Sequence, residues 1–268
     1  MRTVTLEPIS HTYSDDLGRK YMSATKFLGS FKEPFDSGLI APLVAKAIKK
    51  KLELESKKRR VSIKVVQSEQ PLYERGITTR DVLDEWDAKR DAANAKGTYI
   101  HDNLENMLLT GVAPKKDEYY DTYKAVWKFI KEEQYAKLFP EVILHSERIM
   151  IAGMADLRCQ RTTSKNSIID YYDYKTNVIH FDSSKEKDGK KTQTNKFMNY
   201  PLDYMEDTSY NGYALQLSLY AYMDQMMFNT KIGKLAILNV VDGFKPLYVP
   251  YMKQEIEMLF RYTEMNKV

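Results

Sequence analysis

The apolar positions change period along the chain. Leu39, Ile40, Leu43, Val44 and Ile48 recur at three- and four-residue intervals, which predicts a helix over residues 38–56 capped by Asp36 or Ser37. Before it, residues 3–23 alternate and predict a β-hairpin turning at Asp16-Leu17-Gly18, after which Ser23 caps a short helix through Phe31. Residues 61–75 keep no period and read as a flexible connection. Helical spacing returns over 78–109, with Gly97 marking an interruption and a fresh helix at 98–109, and again over 117–139. Then the period drops to two. Residues 141–151, 154–162 and 167–176 read as three strands joined by short turns at Gly153 and at Ser164-Lys165-Asn166. A polar stretch that includes 185–196 reads as an exposed loop or hairpin tip. An apolar, aromatic helix over 209–229 precedes a buried strand over 234–241, a turn at Asp242-Gly243, a last short strand and a helix over 252–266. Helices, then a strand meander, then helix and strand predict an α/β protein with a helical N-terminal portion.

The strand meander carries the chemistry. Side chains alternate across a strand, so Asp173 and Lys175 share a face while Tyr174 points away with its carbonyl still available. A hairpin would bring Asp156 beside that pair. Two carboxylates, a carbonyl and an ammonium suit Mg²⁺-assisted phosphodiester cleavage. The acids hold a hard cation, the cation polarises phosphate and activates water, and the lysine orients the water or stabilises the developing charge.

Bulk properties narrow the class without deciding it. The chain has 268 residues, enough for one large domain or two small ones, and 43% of them are hydrophobic, enough for a real core. The formal charge of +4 permits a polyanionic partner and does not demand one. A single cysteine, Cys159, excludes an internal disulfide and fits a reducing compartment. No stretch reaches the roughly 18 apolar residues of a membrane helix, and the first residues lack the apolar core of a secretory signal. The expectation is a cytoplasmic protein with no membrane partner. Phosphate-cradling Gly-x-x-x-x-Gly-Lys loops, dinucleotide-binding Gly-x-Gly-x-x-Gly, His-Glu-x-x-His and Gly-x-Ser-x-Gly are all absent, which removes nucleotide motors, dinucleotide enzymes, zinc proteases and serine hydrolases of those types.

The order Asp156, Asp173-x-Lys175 resembles the motif of the PD-(D/E)XK nuclease superfamily. GTYIHDNLE (97–105) and QLSLY (216–220) are similar to the Gly-x-x-x-His-x-x-Leu-Glu and Gln-x-x-x-Tyr elements of its RecB-type exonuclease branch, in the same order along the chain. The likeness covers residues 95–240, and residues 1–30 also resemble phage-encoded members. The resemblance implies a restriction-endonuclease-like core with a central mixed β-sheet flanked by helices. It places that core at 96–268 and a hairpin and helical region at 1–95 that would form a DNA channel or arch. It further implies Asp156 and Asp173 as carboxylate ligands of Mg²⁺ (Mn²⁺ substituting), the Tyr174 carbonyl completing the shell, and His101 as a ligand or phosphate contact. Lys175 would position the attacking water. Gln216 and Tyr220, four apart on one helix face, would steady the lysine or the DNA backbone. Glu105 shares the face of His101, and Glu147, on the strand before Asp156, is a candidate ligand for a second ion. The proline that often precedes the first acid is replaced by Ala155, a common departure in this branch. No iron–sulfur cluster is expected, because Cys159 has no cysteine partner. The implied activity is a metal-dependent DNA exonuclease of recombination, repair or DNA turnover in a bacterial or phage-infected cell, working alone or with a helicase or single-strand annealing protein. A structure-specific or nicking endonuclease would use the same residues, and a non-catalytic nucleic-acid-binding module could keep the same fold.

Plainer readings compete at several positions. Asp-x-Lys alone is most often a surface ion pair, but its apolar and aromatic flanks predict burial, and buried charges are paired or bind metal. Asp170 competes with Asp173, and alternation puts it on the face opposite Lys175. His145 reads as structural. The lysine-rich run 49–60 reads first as a solvated helix face, and as a source of salt-sensitive phosphate affinity if it has a role.

Overall fold

The computed structural model describes the chain except residues 1, 9, 72–73, 163–166, 188–189, 194–195, 241–243 and 267–268. The expected turns at Ser164-Lys165-Asn166 and Asp242-Gly243 lie outside the described residues. The elements are β1 (Val4–Glu7), β2 (Thr12–Asp15), β3 (Lys20–Ser23), α1 (Ala24–Gly29), α2 (Ser37–Arg59), α3 (Ile63–Glu69), α4 (Thr79–Thr110), α5 (Tyr120–Glu132), β4 (Lys137–Ser146), β5 (Ile151–Gln160), β6 (Ile168–Lys175), β7 (Ser184–Lys187), β8 (Lys190–Gln193), α6 (Ser209–Phe228), β9 (Lys231–Asn239), β10 (Lys245–Val249) and α7 (Lys253–Met265). They divide into two compact units, one of residues 1–33 with 99–268 and one of residues 34–98. Among the described residues no helix is long and apolar enough to cross a membrane.

The larger unit is an α/β structure around an open mixed sheet, a restriction-endonuclease-like core. Its eight described strands are mostly antiparallel, but β3 runs parallel to β5 and β6 parallel to β9. Alternation along the inner strands sends side chains into two cores. Tyr171, Ile169 and Ile237 pack with Phe27 and Leu28 of α1, the apolar length of α6, and Leu259 and Phe260 of α7. Tyr172, Tyr174, Ala236 and Leu238 face the other way, onto Ile100, Leu104 and Met107 of α4 and Tyr123, Val126 and Ile130 of α5. A helix buried on nearly every side explains why α6 reads apolar all round.

β5 is the strand that positions the site. One of its edges is paired with β4 from Lys137↔Gln160 to Ser146↔Ile151, interrupted only at Glu141 and Asp156. The other edge pairs with β3 only at Ile151 and Ala152, and with β6 only from Leu157 to Gln160. Between those two ladders residues 153–156 carry no strand partner on that edge, so their backbone there is left to other groups.

The smaller unit holds α2, α3 and the part of α4 before Tyr99. Ala41, Ala45 and Val82 form its small core with Trp86 against them, and Leu52 and Val66 are buried.

Four local expectations are corrected. Gly97 lies inside a 32-residue helix. Its neighbours Ala92, Ala93, Ala95 and Lys96 are strong helix formers, and one interior glycine costs only about 1 kcal/mol. The helix expected over 117–139 ends at Glu132, because Leu138 and Phe139 pair with Cys159 and Arg158 in the sheet. The turn expected at Gly153 lies instead at residues 147–150, with Met150 at φ 56°, and Gly153 is a strand residue. Residues 63–69, expected as a connection, form α3.

Candidate active site

Asp156 lies in the unpaired stretch of β5. One carboxylate oxygen accepts the Tyr174 backbone N–H at 2.7 Å, which ties β5 to β6 beyond the end of their ladder. The other stands 3.7 Å from His101 Nδ1, on α4. The His101 ring also meets the Tyr174 ring edge-on, with centroids 5.5 Å apart. His101, Asp156 and Tyr174 are thus brought together from helix, strand and neighbouring strand.

Asp173 and Lys175 share the opposite face of β6, as alternation requires. Asp173 is 2% exposed, and its Oδ2 touches the Lys175 ammonium as an ion pair while accepting no hydrogen bond of good geometry. Burial pushes the Asp173 carboxyl above its ordinary value; Lys175 pulls it down and Asp156 pushes it up. Burial alone would lower Lys175, but Asp173 and Asp156 outweigh it and hold the ammonium above its ordinary value, so it is charged at neutral pH. The ammonium lies 4.8 Å from the Tyr213 ring centroid, a cation–π contact from the first turns of α6. On the same helix Gln216 Nε2 donates to the Tyr220 hydroxyl at 3.0 Å. Burial keeps that hydroxyl protonated, against the pull of Gln216 and with a further push from Asp173 and Asp156.

Glu147 is not brought to this group. Its carboxylate accepts from Arg2 at 3.1 Å and from Arg19 at 3.0 Å, at the far end of β4. The displaced turn explains this. With the hairpin closing at 147–150, the β4 residue opposite Asp156 is Glu141, between the pairs Pro140↔Leu157 and Val142↔Ala155. Glu141 adopts φ 50°, unusual for a non-glycine residue. Its carboxyl is raised by burial, then by Glu105, Asp156 and Asp102, with His101 opposing. Glu105 is raised by burial and Asp102. Glu141 and Tyr213 are the site residues that sequence reasoning missed. Tyr213 was legible, three residues before Gln216 on one helix face. Glu141 needed the strand register.

Asp170 is elsewhere. Its fully buried carboxylate accepts from Tyr135 Oη at 2.6 Å and from the Lys234 N–H at 2.8 Å, and pairs with Arg161. His145 is buried and edge-on to Tyr21.

The donors gathered at Asp156 and Asp173 are hard oxygens, and the carboxylates around them outnumber the cations. That composition fits Mg²⁺, which is commonly held by one or two carboxylates and completed by substrate phosphate and water. Among the described residues no three His, Cys, Asp or Glu side chains close up to hold a metal ion by themselves.

No protein-family model matches the chain, and no curated protein sequence does. A solved structure of a protein from Eubacterium rectale, described as a candidate exonuclease, is similar over 92% of this chain and 78% of that one, at 12% identity and a TM-score of 0.30. A likeness of that size decides nothing about activity.

Proposed function

We propose that the protein is a metal-dependent deoxyribonuclease acting on DNA ends, with its centre at Asp156, Asp173 and Lys175. The observation that carries the reading is the buried Asp173–Lys175 ion pair, with a second carboxylate, Asp156, near enough to act on both charges and set in the stretch of β5 between its β3 and β6 ladders. A protein that used these groups only for stability would do as well with apolar side chains, since a buried ion pair rarely repays its desolvation.

In this reading Asp156, Asp173 and the Tyr174 carbonyl would hold Mg²⁺ or Mn²⁺, with His101 adjacent and Glu141 and Glu105 as further carboxylates nearby. When bound, the ion polarises the scissile phosphate and makes water a stronger nucleophile. Lys175, kept charged by Asp173, donates to the attacking water or to a phosphate oxygen and stabilises the charge that builds in the transition state. Tyr213 holds that ammonium in place from one side. Buried Tyr220 and half-buried Gln216 fix the α6 wall of the site, and Gln216 offers its amide to the DNA backbone. His101 keeps the Asp156 carboxylate oriented.

The test is cleavage of end-labelled linear DNA, single-stranded and duplex, and of closed circles, with Mg²⁺ and with Lys175→Ala as control. Stepwise products from linear DNA only, lost in the variant, are expected. Cut circles would replace the end-dependent reading with an endonuclease. Intact DNA under every condition, with binding unchanged by Asp173→Asn, would leave a non-catalytic binding module.

A further inference from the structure

The molecule's charge is unevenly placed. Fourteen of its 41 basic residues and ten of its 37 acidic ones lie in residues 34–98. The smaller unit therefore carries the whole formal excess of +4, and the larger unit is balanced. Within the smaller unit the excess is narrower still. Nine cations and only two acids, Glu53 and Glu55, fall between Lys46 and Lys64.

Helix geometry gathers part of this charge into a stripe. At 100° per residue, Lys46, Lys49, Lys50 and Lys57 lie within about 100° of arc and about 17 Å of axis on α2. All four are exposed. The opposite face of the helix is spent on packing, through Ala41, Ala45 and Leu52. Lys51 and Arg59 are held by Glu74 and Glu69. The four stripe lysines make no ion pair among the described residues. Below them a groove of about 640 Å³ between α2 and α3 is lined by Lys50, Lys51, Leu54, Arg59 and Gln70. A strand of duplex DNA carries one charge per about 3.4 Å of axis, so the stripe spans about five phosphates.

We infer that this basic face of α2 is a sequence-independent docking surface for the nucleic-acid backbone, separate from the metal-dependent centre. The inference rests on the nuclease reading only for the identity of its polyanion. A face kept merely for solubility would mix signs, as α4 does: there Arg80 pairs with Asp84, Lys89 with Glu85 and Arg90 with Asp87. The α2 stripe sets four lysines against one acid within its arc, Glu53, and no ion pair among the described residues joins that acid to them; backbone binding needs such an excess of cations. Lysine suits the role, a point charge on a flexible stem that follows phosphates without reading bases.

The experiment measures equilibrium binding of labelled DNA, single-stranded and duplex, to the full chain carrying Lys175→Ala, without metal, across about 50–200 mM salt. The comparison protein carries Lys46→Gln, Lys49→Gln, Lys50→Gln and Lys57→Gln in addition. The slope of log affinity against log salt for duplex should shrink by about 0.9 for each phosphate that is no longer neutralised, hence by about 2–4, with affinity at low salt down about tenfold or more. The paired cations Arg80 and Lys89, changed to Gln, should leave the slope alone. An unchanged slope in the fourfold variant overturns the inference. Tight binding to phosphatidylserine vesicles with DNA affinity untouched also overturns it, and gives the face to a lipid surface. Failure of the nuclease reading is a separate result: wild-type protein with Mg²⁺ that binds DNA through this face and leaves it intact.

Discussion

Tyr220 fills the space that a side chain at Gly153 would need. A Cβ on Gly153 would stand 2.6 Å from Tyr220 Cε1 and 2.7 Å from the Ala24 Cβ. The glycine is therefore what lets α1 and α6 both close on the unpaired stretch of β5 beside Asp156. Gly153→Ala is expected to cost about 1–3 kcal/mol through overpacking. It should also lower kcat by displacing Tyr220, because α6 must move before β5 can. Urea unfolding and single-turnover cleavage measured together check both effects; an unchanged unfolding midpoint would mean the close approach is easily relieved.

Asp173 and Lys175 should show opposite responses singly and together. Lys175→Met strips a buried carboxylate of its cation and should destabilise by about 3–5 kcal/mol at neutral pH. Asp173→Leu with Lys175→Met removes both charges and should restore most of that loss, while cleavage stays abolished. The sign with pH follows from the raised Asp173 carboxyl. Protonation is favoured in the folded state, so the Lys175→Met penalty shrinks as pH falls through the carboxyl's raised value. Denaturant midpoints at neutral and acid pH measure this.

Glu141 and Glu147 separate by register. Glu141→Gln should raise the Mg²⁺ concentration for half-maximal cleavage by about 10–100-fold, the usual scale for losing a group that orients a metal site. Glu147→Gln should leave that concentration where it is, since its partners are Arg2 and Arg19. A Mn²⁺ titration by calorimetry gives the same comparison without depending on turnover. Equal responses of the two variants would count against the hairpin register.

The Asp170 network should govern stability and leave the chemistry alone. Asp170→Ala removes the acceptor shared by Tyr135, Arg161 and the Lys234 N–H, at about 3–5 kcal/mol for uncompensated buried charge. Nearby, burial pushes Glu133 up, but Lys234 and Arg161 outweigh it and hold the carboxyl below its ordinary 4.5. A depressed carboxylate stabilises the fold above its unfolded value, and that contribution fades as pH falls through the folded one. Glu133→Gln should flatten the acid limb of stability below about pH 4.5. Chemical denaturation across that range is the check, with kcat of both variants expected near wild type.

How much of this was legible beforehand follows from what is local. The strand meander, the apolar α6 and the shared face of Asp173 and Lys175 come from period and alternation, which the backbone imposes wherever the chain sits. The face of Asp170 was legible for the same reason. Residue type and order alone assembled His101, Asp156, Asp173, Lys175, Gln216 and Tyr220 as candidates.

What the sequence by itself determined was the type of most elements and this cast of reactive groups. Tertiary structure alone decided where the β4–β5 hairpin turns, and with it that Glu141 faces Asp156 while Glu147 goes to two arginines. It also decided that β3 and β6 share one edge of β5 and leave a gap at Asp156. The physical reason is that a strand's register is chosen by which side chains its partners can bury, and a shift of one residue exchanges the faces. Residues far apart in the chain, such as Gly153, Ala24 and Tyr220, settle that choice by fitting or failing to fit. No local pattern carries that information.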